Sequence, residues 1–142
     1  MMKTEDILQQ VSQLEPANKS LTVGNDLVHL PTFLNSLSPQ FIKRSYTLLE
    51  LSYCEQFTDS TLRYASTWAA KEAVYKAIKQ VDDGLRLWWR DIEIHRQKPQ
   101  GKPTVTIKKL NIPLEFSLTI THDGDYVWAL VLCAYDKEDV GK

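Results

Sequence analysis

Ser66-Thr67-Trp68-Ala69-Ala70-Lys71-Glu72-Ala73-Val74-Tyr75-Lys76-Ala77 is the stretch whose reading decides the fold. It sits inside a helical pattern that starts at residue 59 or 60 and runs to residue 79. Leu62, Ala65, Ala69, Ala70, Ala73, Val74, Ala77 and Ile78 sweep an apolar arc wider than a surface helix needs, so this helix is expected to be the buried spine. Glu72 and Lys76 stand one turn apart on one face, at the edge of that arc, where a side chain is partly desolvated yet reachable. Two readings fit that spacing. One is a helix-stabilising ion pair, a common surface feature of small energetic consequence. The other is a phosphate-handling pair, with a carboxylate for a divalent metal and a lysine as phosphate counter-charge.

Outward from the spine, residues 4–14 read as a short amphipathic helix, capped by Thr4 and striped by Ile7, Leu8, Val11 and Leu14. Residues 16–20 read as a linker and 21–30 as a buried strand ended by Pro31. Ser38-Pro39 opens a helix through Phe41 and Ile42. The capping-box pattern Thr47-x-x-Glu50 opens another toward Phe57. Strands are expected at 89–95, 104–107, 115–121 and 126–135, with turns at Pro99-Gln100-Gly101 and Asp123-Gly124. The last strand is apolar on both faces, as a strand covered twice should be. The order β-α-α-α-β-β-β-β predicts α+β: a single domain with helices packed on an antiparallel sheet. The expected organisation is an extension at 1–20, the domain at 21–136 and a tail at 137–142.

Composition narrows the function classes. The 142 residues, 43% hydrophobic and 25% charged, suit one ordinary globular core. A formal net charge of −1 argues against broad electrostatic binding to nucleic acid or to an anionic membrane. Cys54 and Cys133 have no metal-ligand or disulfide-framework spacing. The polar, acidic N-terminus shows no apolar signal region, and the apolar run at 127–135 is too short to span a bilayer. A cytoplasmic location is the expectation.

A second segment changes the weighing. Val23-Gly24-Asn25-Asp26-Leu27-Val28-His29-Leu30 sets one acid inside an apolar strand. Alone, Asp26 reads equally as a buried acid capping a neighbouring helix, since a buried acid needs a partner. Together, Gly24-x-Asp26 and Trp68-Ala-x-Lys71-Glu72-Ala-x-x-Lys76-Ala resemble the signature pair of the 4′-phosphopantetheinyl transferases of the holo-acyl-carrier-protein synthase type. Arg44-x-x-Thr47-x-x-Glu50, the hairpin of Asp91-Ile92-Glu93-Ile94 and Gly101-Lys102-Pro103, and the closing block from Ser117 through His122 to Ala129 are similar to further blocks of that family. The five blocks stand in the right order over about residues 22–135.

The resemblance implies transfer of the phosphopantetheine arm of coenzyme A to a serine of an acyl or peptidyl carrier protein, releasing adenosine 3′,5′-bisphosphate. It implies Mg²⁺ held by Asp26 and Glu72, with Lys76 as phosphate counter-charge and catalytic roles for all three. Mg²⁺ suits one or two carboxylates plus substrate phosphates. His122 matches a histidine near the coenzyme A nucleotide across a subunit boundary; by itself it reads as a surface imidazole. The resemblance further implies a homotrimer, and leaves Lys43 and Arg44 to dock an acidic carrier. The base that takes the serine proton is either Glu72 or a metal-bound water.

Three positions depart from the family pattern. Thr67 stands where an arginine usually serves the 3′-phosphate, with Arg63 or Arg90 as candidate substitutes. Asp123 follows His122 where Ser or Thr is usual, and Thr32 replaces an arginine that meets the carrier. These departures support an alternative, a non-catalytic relative that binds coenzyme A or a carrier protein as a scaffold. Trp88-Trp89 reads as core or interface packing rather than a base-stacking platform, there being no basic cluster around it. Lys71 reads as a solvated neighbour of Glu72, and Lys108-Lys109 as a polar turn.

Overall fold

The computed structural model describes residues 3–14, 19–97 and 101–140. After a first helix α1 (Thr4–Leu14) come β1 (Lys19–His29) and four helices: α2 (Leu30–Ser36), α3 (Pro39–Ser45), α4 (Leu48–Cys54) and α5 (Ser60–Val81). A 3₁₀ turn (Trp89–Asp91) leads into β2 (Ile92–His95), then β3 (Thr104–Ile107), β4 (Glu115–Asp123) and β5 (Tyr126–Asp136). The α+β expectation holds. The antiparallel group is split in two, however, into a three-stranded sheet ordered β1-β5-β4 and a separate β2-β3 hairpin.

Boundaries moved where tertiary contact outweighs local signal. Lys19 and Ser20 extend β1, pairing with Asp136 and Tyr135, so the expected linker is shortened; residues 15–18 lie outside the described residues. So do residues 98–100 of the expected Pro99 turn. Pro31 does not stop the chain but starts α2, a helix missing from the sequence reading, because proline suits a first helical turn whose N–H has no partner anyway. The strand expected at 89–95 begins as a 3₁₀ turn because the Asp91 carboxylate caps it, accepting from the Trp88 N–H at 2.8 Å. The β4–β5 turn falls one residue later than expected: Asp123 still pairs with Tyr126, and Gly124 supplies the positive φ of 57°. Of the α1 stripe, only the Ile7 side chain is described, and it is exposed.

The spine is where the sequence placed it. Ala65, Ala69, Ala70, Ala73, Val74, Ala77 and Ile78 of α5 are all fully buried, against Val127, Ala129, Val131 and Cys133 of β5 and Leu118 of β4. Alanines at the interface let the sheet lie close to the helix axis. Gly24 takes this furthest: a Cβ added there would meet the Ala73 carbonyl oxygen at 1.8 Å. Beside it the Thr22 hydroxyl donates to the Ala77 carbonyl at 2.8 Å. Strand β1 is thus seated on the main chain of α5 itself.

Its other face is open. Residues of β1 alternate, with Thr22, Gly24, Asp26 and Val28 buried and Leu21, Val23, Asn25 and Leu27 exposed. The expectation of a wholly buried strand is corrected accordingly, and the doubly apolar β5 likewise leaves Trp128 and Leu132 exposed.

Candidate active site

The two motif carboxylates meet because their elements meet. Asp26 lies two residues beyond Gly24 on the same side of β1, so it faces α5 at the helix turn that carries Glu72 and Lys76. Lys76 does not pair with Glu72, as the i,i+4 reading allowed. It reaches across to β1, where Nζ donates to Asp26 Oδ1 and to the Asn25 carbonyl, each at 3.0 Å. Asp26 Oδ2 is buried and receives no donor among the described residues. Its carboxyl neighbour is Glu72, which can meet it only with a proton or a cation between them.

Electrostatics agree with that picture. Burial is the main cause that pushes the Glu72 carboxyl up, from 4.5 to about 7, with the Asp26 carboxylate adding to it. Lys76 and a hydrogen bond from Trp68 act in the opposite direction. An orphaned buried oxygen beside a carboxyl held near neutrality is a site short of positive charge. Oxygen donors of this kind fit Mg²⁺, which needs no more than one or two carboxylates from the protein. Among the described residues no group of three or more metal-ligating side chains gathers.

An aromatic wall borders the pair. Trp89 packs on Trp68 at 4.6 Å and on Tyr75 at 5.1 Å between ring centres, and Phe41 of α3 meets Trp68 edge-on at 4.9 Å. Trp89 is therefore packing, as expected, whereas Trp88 is exposed. Lys43 and Arg44 are exposed in the last turn of α3. Lys43 and Arg90 line a cleft of about 540 Å³ with Ile42, Leu48 and Leu51. Arg90 is a candidate phosphate substitute on sequence; its neighbourhood with Lys43 joins segments too far apart along the chain for sequence to connect them.

His122 is not brought to the carboxylates within this chain. It pairs with Val127, which pairs with Val28, so β5 separates it from β1 and its register is two residues along from Asp26. It lines a second cleft of about 380 Å³ with Asn25, Leu27, Asp123, Tyr126 and Trp128. Asp123 is thus beside His122, as its place in the sequence required. Thr32 is occupied locally, its hydroxyl 2.8 Å from His29 Nδ1.

Thr67 is 1% exposed and faces α4, with its hydroxyl 3.8 Å from Cys54 Sγ, so the threonine itself is spent inside the fold. Arg63 is paired with Asp59 at 3.2 Å at the start of α5. One sequence reading is corrected, that of Lys71. Lys71 is not solvated. It is fully buried, and Nζ donates to Glu50 Oε1 at 2.7 Å and to the Ile92 carbonyl. Glu50 also accepts from the amides of Thr47 at 2.9 Å and Ile94 at 2.8 Å. The capping box announced Glu50 correctly but hid its second task, because a cap is a local signal and an ion pair across the fold is not. Burial pushes the Glu50 carboxyl up and the Lys71 ammonium down, and their mutual attraction opposes both shifts.

The family model of the 4′-phosphopantetheinyl transferase superfamily matches residues 22–131. The holo-[acyl-carrier-protein] synthase of Gloeobacter violaceus is 34% identical over 120 residues, covering 77% of this chain and 89% of the relative. A fatty acid synthase alpha subunit of Dothistroma septosporum is 34% identical over 113 residues, 78% of this chain. The chain spans only 34% of that relative and 5–7% of other fungal alpha subunits it matches. A Chronobacterium ammoniagenes synthase solved as a coenzyme A complex superposes with a TM-score of 0.72 at 31% identity, over 82% of this chain and 98% of its own. The chain belongs to the 4′-phosphopantetheinyl transferase superfamily.

Proposed function

We propose that this chain moves the phosphopantetheine arm of coenzyme A onto a serine hydroxyl of a carrier protein. One observation carries the reading: Gly24 seats β1 on α5 so that Asp26 and Glu72 form one cation-deficient site with Lys76 beside it. The serine oxygen forms a bond to the β-phosphorus, the pyrophosphate P–O bond breaks, adenosine 3′,5′-bisphosphate departs, and the hydroxyl proton is released. Catalysis of such a transfer is mostly positioning and charge stabilisation, for which few side chains suffice. Asp26 and Glu72 would hold Mg²⁺, which supplies positive charge to the phosphate oxygens. Lys76, half exposed, is free to turn from Asp26 toward an incoming phosphate. Glu72 or a water beside it would accept the serine proton.

The transferring unit is residues 21–136. The fungal relatives favour a carrier of fatty acid synthesis, whose acidic surface would dock at Lys43 and Arg90 with Arg44 nearby. The open face of the sheet favours self-association into a homotrimer. Leu21 and Leu27, 66% and 61% exposed, stand beside Trp128 and Leu132 in an apolar patch that water should not be left to cover. A neighbouring copy on that face would bring its own residues to the His122 cleft.

The test is mass spectrometry of an acyl carrier protein incubated with coenzyme A and Mg²⁺. The carrier should gain the phosphopantetheine mass with wild type and not with Asp26→Ala or Glu72→Ala. An unmodified carrier across a panel, with coenzyme A still bound by calorimetry, would instead favour the scaffold role.

A further inference from the structure

Arg96, immediately after β2, is a guanidinium with no counter-ion among the described residues. It lines a pocket of about 300 Å³ between α4 and the end of β2, and its Cζ lies 5.0 Å from the Tyr53 ring centre. Among the described residues, Nε and Nη1 are buried with no acceptor, and the Tyr53 hydroxyl is buried without a partner as well. Burial lowers the Arg96 pKa, Tyr53 and Cys54 act to raise it, and the Arg63 guanidinium lowers it further. The Tyr53 ring face offsets only part of the cost of taking a charge partly out of water, and a guanidinium with no anion beside it is uncommon.

The rest of the wall supplies what an anion would use. Ser52, Gln56 and Gln97 present hydroxyl and amide donors, and no carboxylate among the described residues lines the pocket. Leu49 and Ile94 add an apolar side. The guanidinium charge is delocalised, so an oxygen meeting Nη2, the one nitrogen not closed off, would offset the whole group. A bare ion would leave the apolar side unfilled, whereas a head with a short hydrocarbon body matches both.

We propose that the Arg96 pocket is a second binding site, separate from the Asp26–Glu72 centre, for a small organic oxyanion whose head is a carboxylate or a phosphate. The site does not depend on the transfer reaction proposed above.

The experiment is a ¹H–¹⁵N NMR titration of the full chain with sodium butyrate and, separately, with sodium phosphate, against sodium chloride at equal ionic strength. Saturable shifts at the Ser52, Ile94 and Gln97 amides are expected with at least one probe and not with chloride. Response to butyrate assigns the head as a carboxylate; response to phosphate alone assigns it as a phosphate. In Arg96→Met the same amides should respond at least tenfold more weakly, a charge-assisted contact having been removed. Arg96→Gln serves where the methionine variant does not fold. Without ligand, Arg96→Met should melt no lower than wild type, because the change removes an uncompensated charge. Absence of saturable shifts at tens of millimolar probe, or their persistence in the Arg96 variants, would overturn the assignment.

Discussion

Substituting Gly24 by alanine adds one methyl group and should cost this protein both stability and activity. The added Cβ would lie 1.8 Å from the Ala73 carbonyl oxygen, 2.8 Å from its carbon and 3.0 Å from the Ala77 nitrogen. Ordinary contact begins at 3.4 Å, so β1 and α5 must separate by about 1.6 Å, the difference from 1.8 Å. All three atoms belong to the main chain of a buried helix, so no side chain can swing away. Alanine in a strand interior is otherwise better than glycine by roughly 0.5–1 kcal/mol. The clash must exceed that gain, and overpacking of this kind costs about 1–3 kcal/mol or more. With a backbone on both sides we expect about 3 kcal/mol, a fall in melting temperature on the order of 10 °C. A shift of that size also carries Asp26 away from Glu72 and Lys76. Misplacement by ~1 Å can cost on the order of a hundredfold in rate. Circular dichroism melts and the carrier-modification assay measure the two effects. Gly84→Ala is the control, since its Cβ would meet only an Asp82 side-chain oxygen at 3.4 Å. A Gly24→Ala protein that melts within two or three degrees of wild type, with its rate intact, would refute the claim that the helix backbone sets this distance.

Three further outcomes are expected. Glu72 is raised from 4.5 to about 7 in the folded chain, so without divalent cation stability should fall as pH rises through that window. Melts from pH 5 to 8 should show a steeper slope in wild type than in Glu72→Gln; equal slopes would contradict the shift. Lys71→Met strands the Glu50 carboxylate and should cost about 3–5 kcal/mol in urea unfolding, partly recovered by adding Glu50→Gln; a loss below 1 kcal/mol would show that the pair is solvated. Leu27→Asp on the open sheet face should reduce an assembly of 16.4 kDa chains to monomers by light scattering; an unchanged mass would place the interface elsewhere.

How much of this was readable in advance depends on the range of the signal. The α5 spine, its buried alanines and the Thr47–Glu50 cap follow from periodicity and local chemistry, and the structure has all three. The proline that begins α2 misled because the same residue ends strands and starts helices. The solvated reading of Lys71 failed because helical angle from Glu72 says nothing about what packs opposite. Its partner Glu50 is brought near only by the fold. Asp26, Glu72 and Lys76 could be gathered from their motifs, yet the reason they meet, a missing Cβ at Gly24, becomes visible only when the helix lies against it.

The Glu50 carboxylate has a kinetic consequence. The amides of Thr47 and Ile94 lie on separate elements, yet both rest on its two oxygens, and Lys71 holds that carboxylate from a third element. Neither amide can exchange with solvent by simple fraying of its own segment while Glu50 stays in place. Their hydrogen-exchange rates should therefore be yoked, opening together when Glu50 and Lys71 part and slowing together when they rejoin. Two amides far apart along the chain would report one opening event, and α4 and the β2–β3 hairpin would behave as a single cooperative unit.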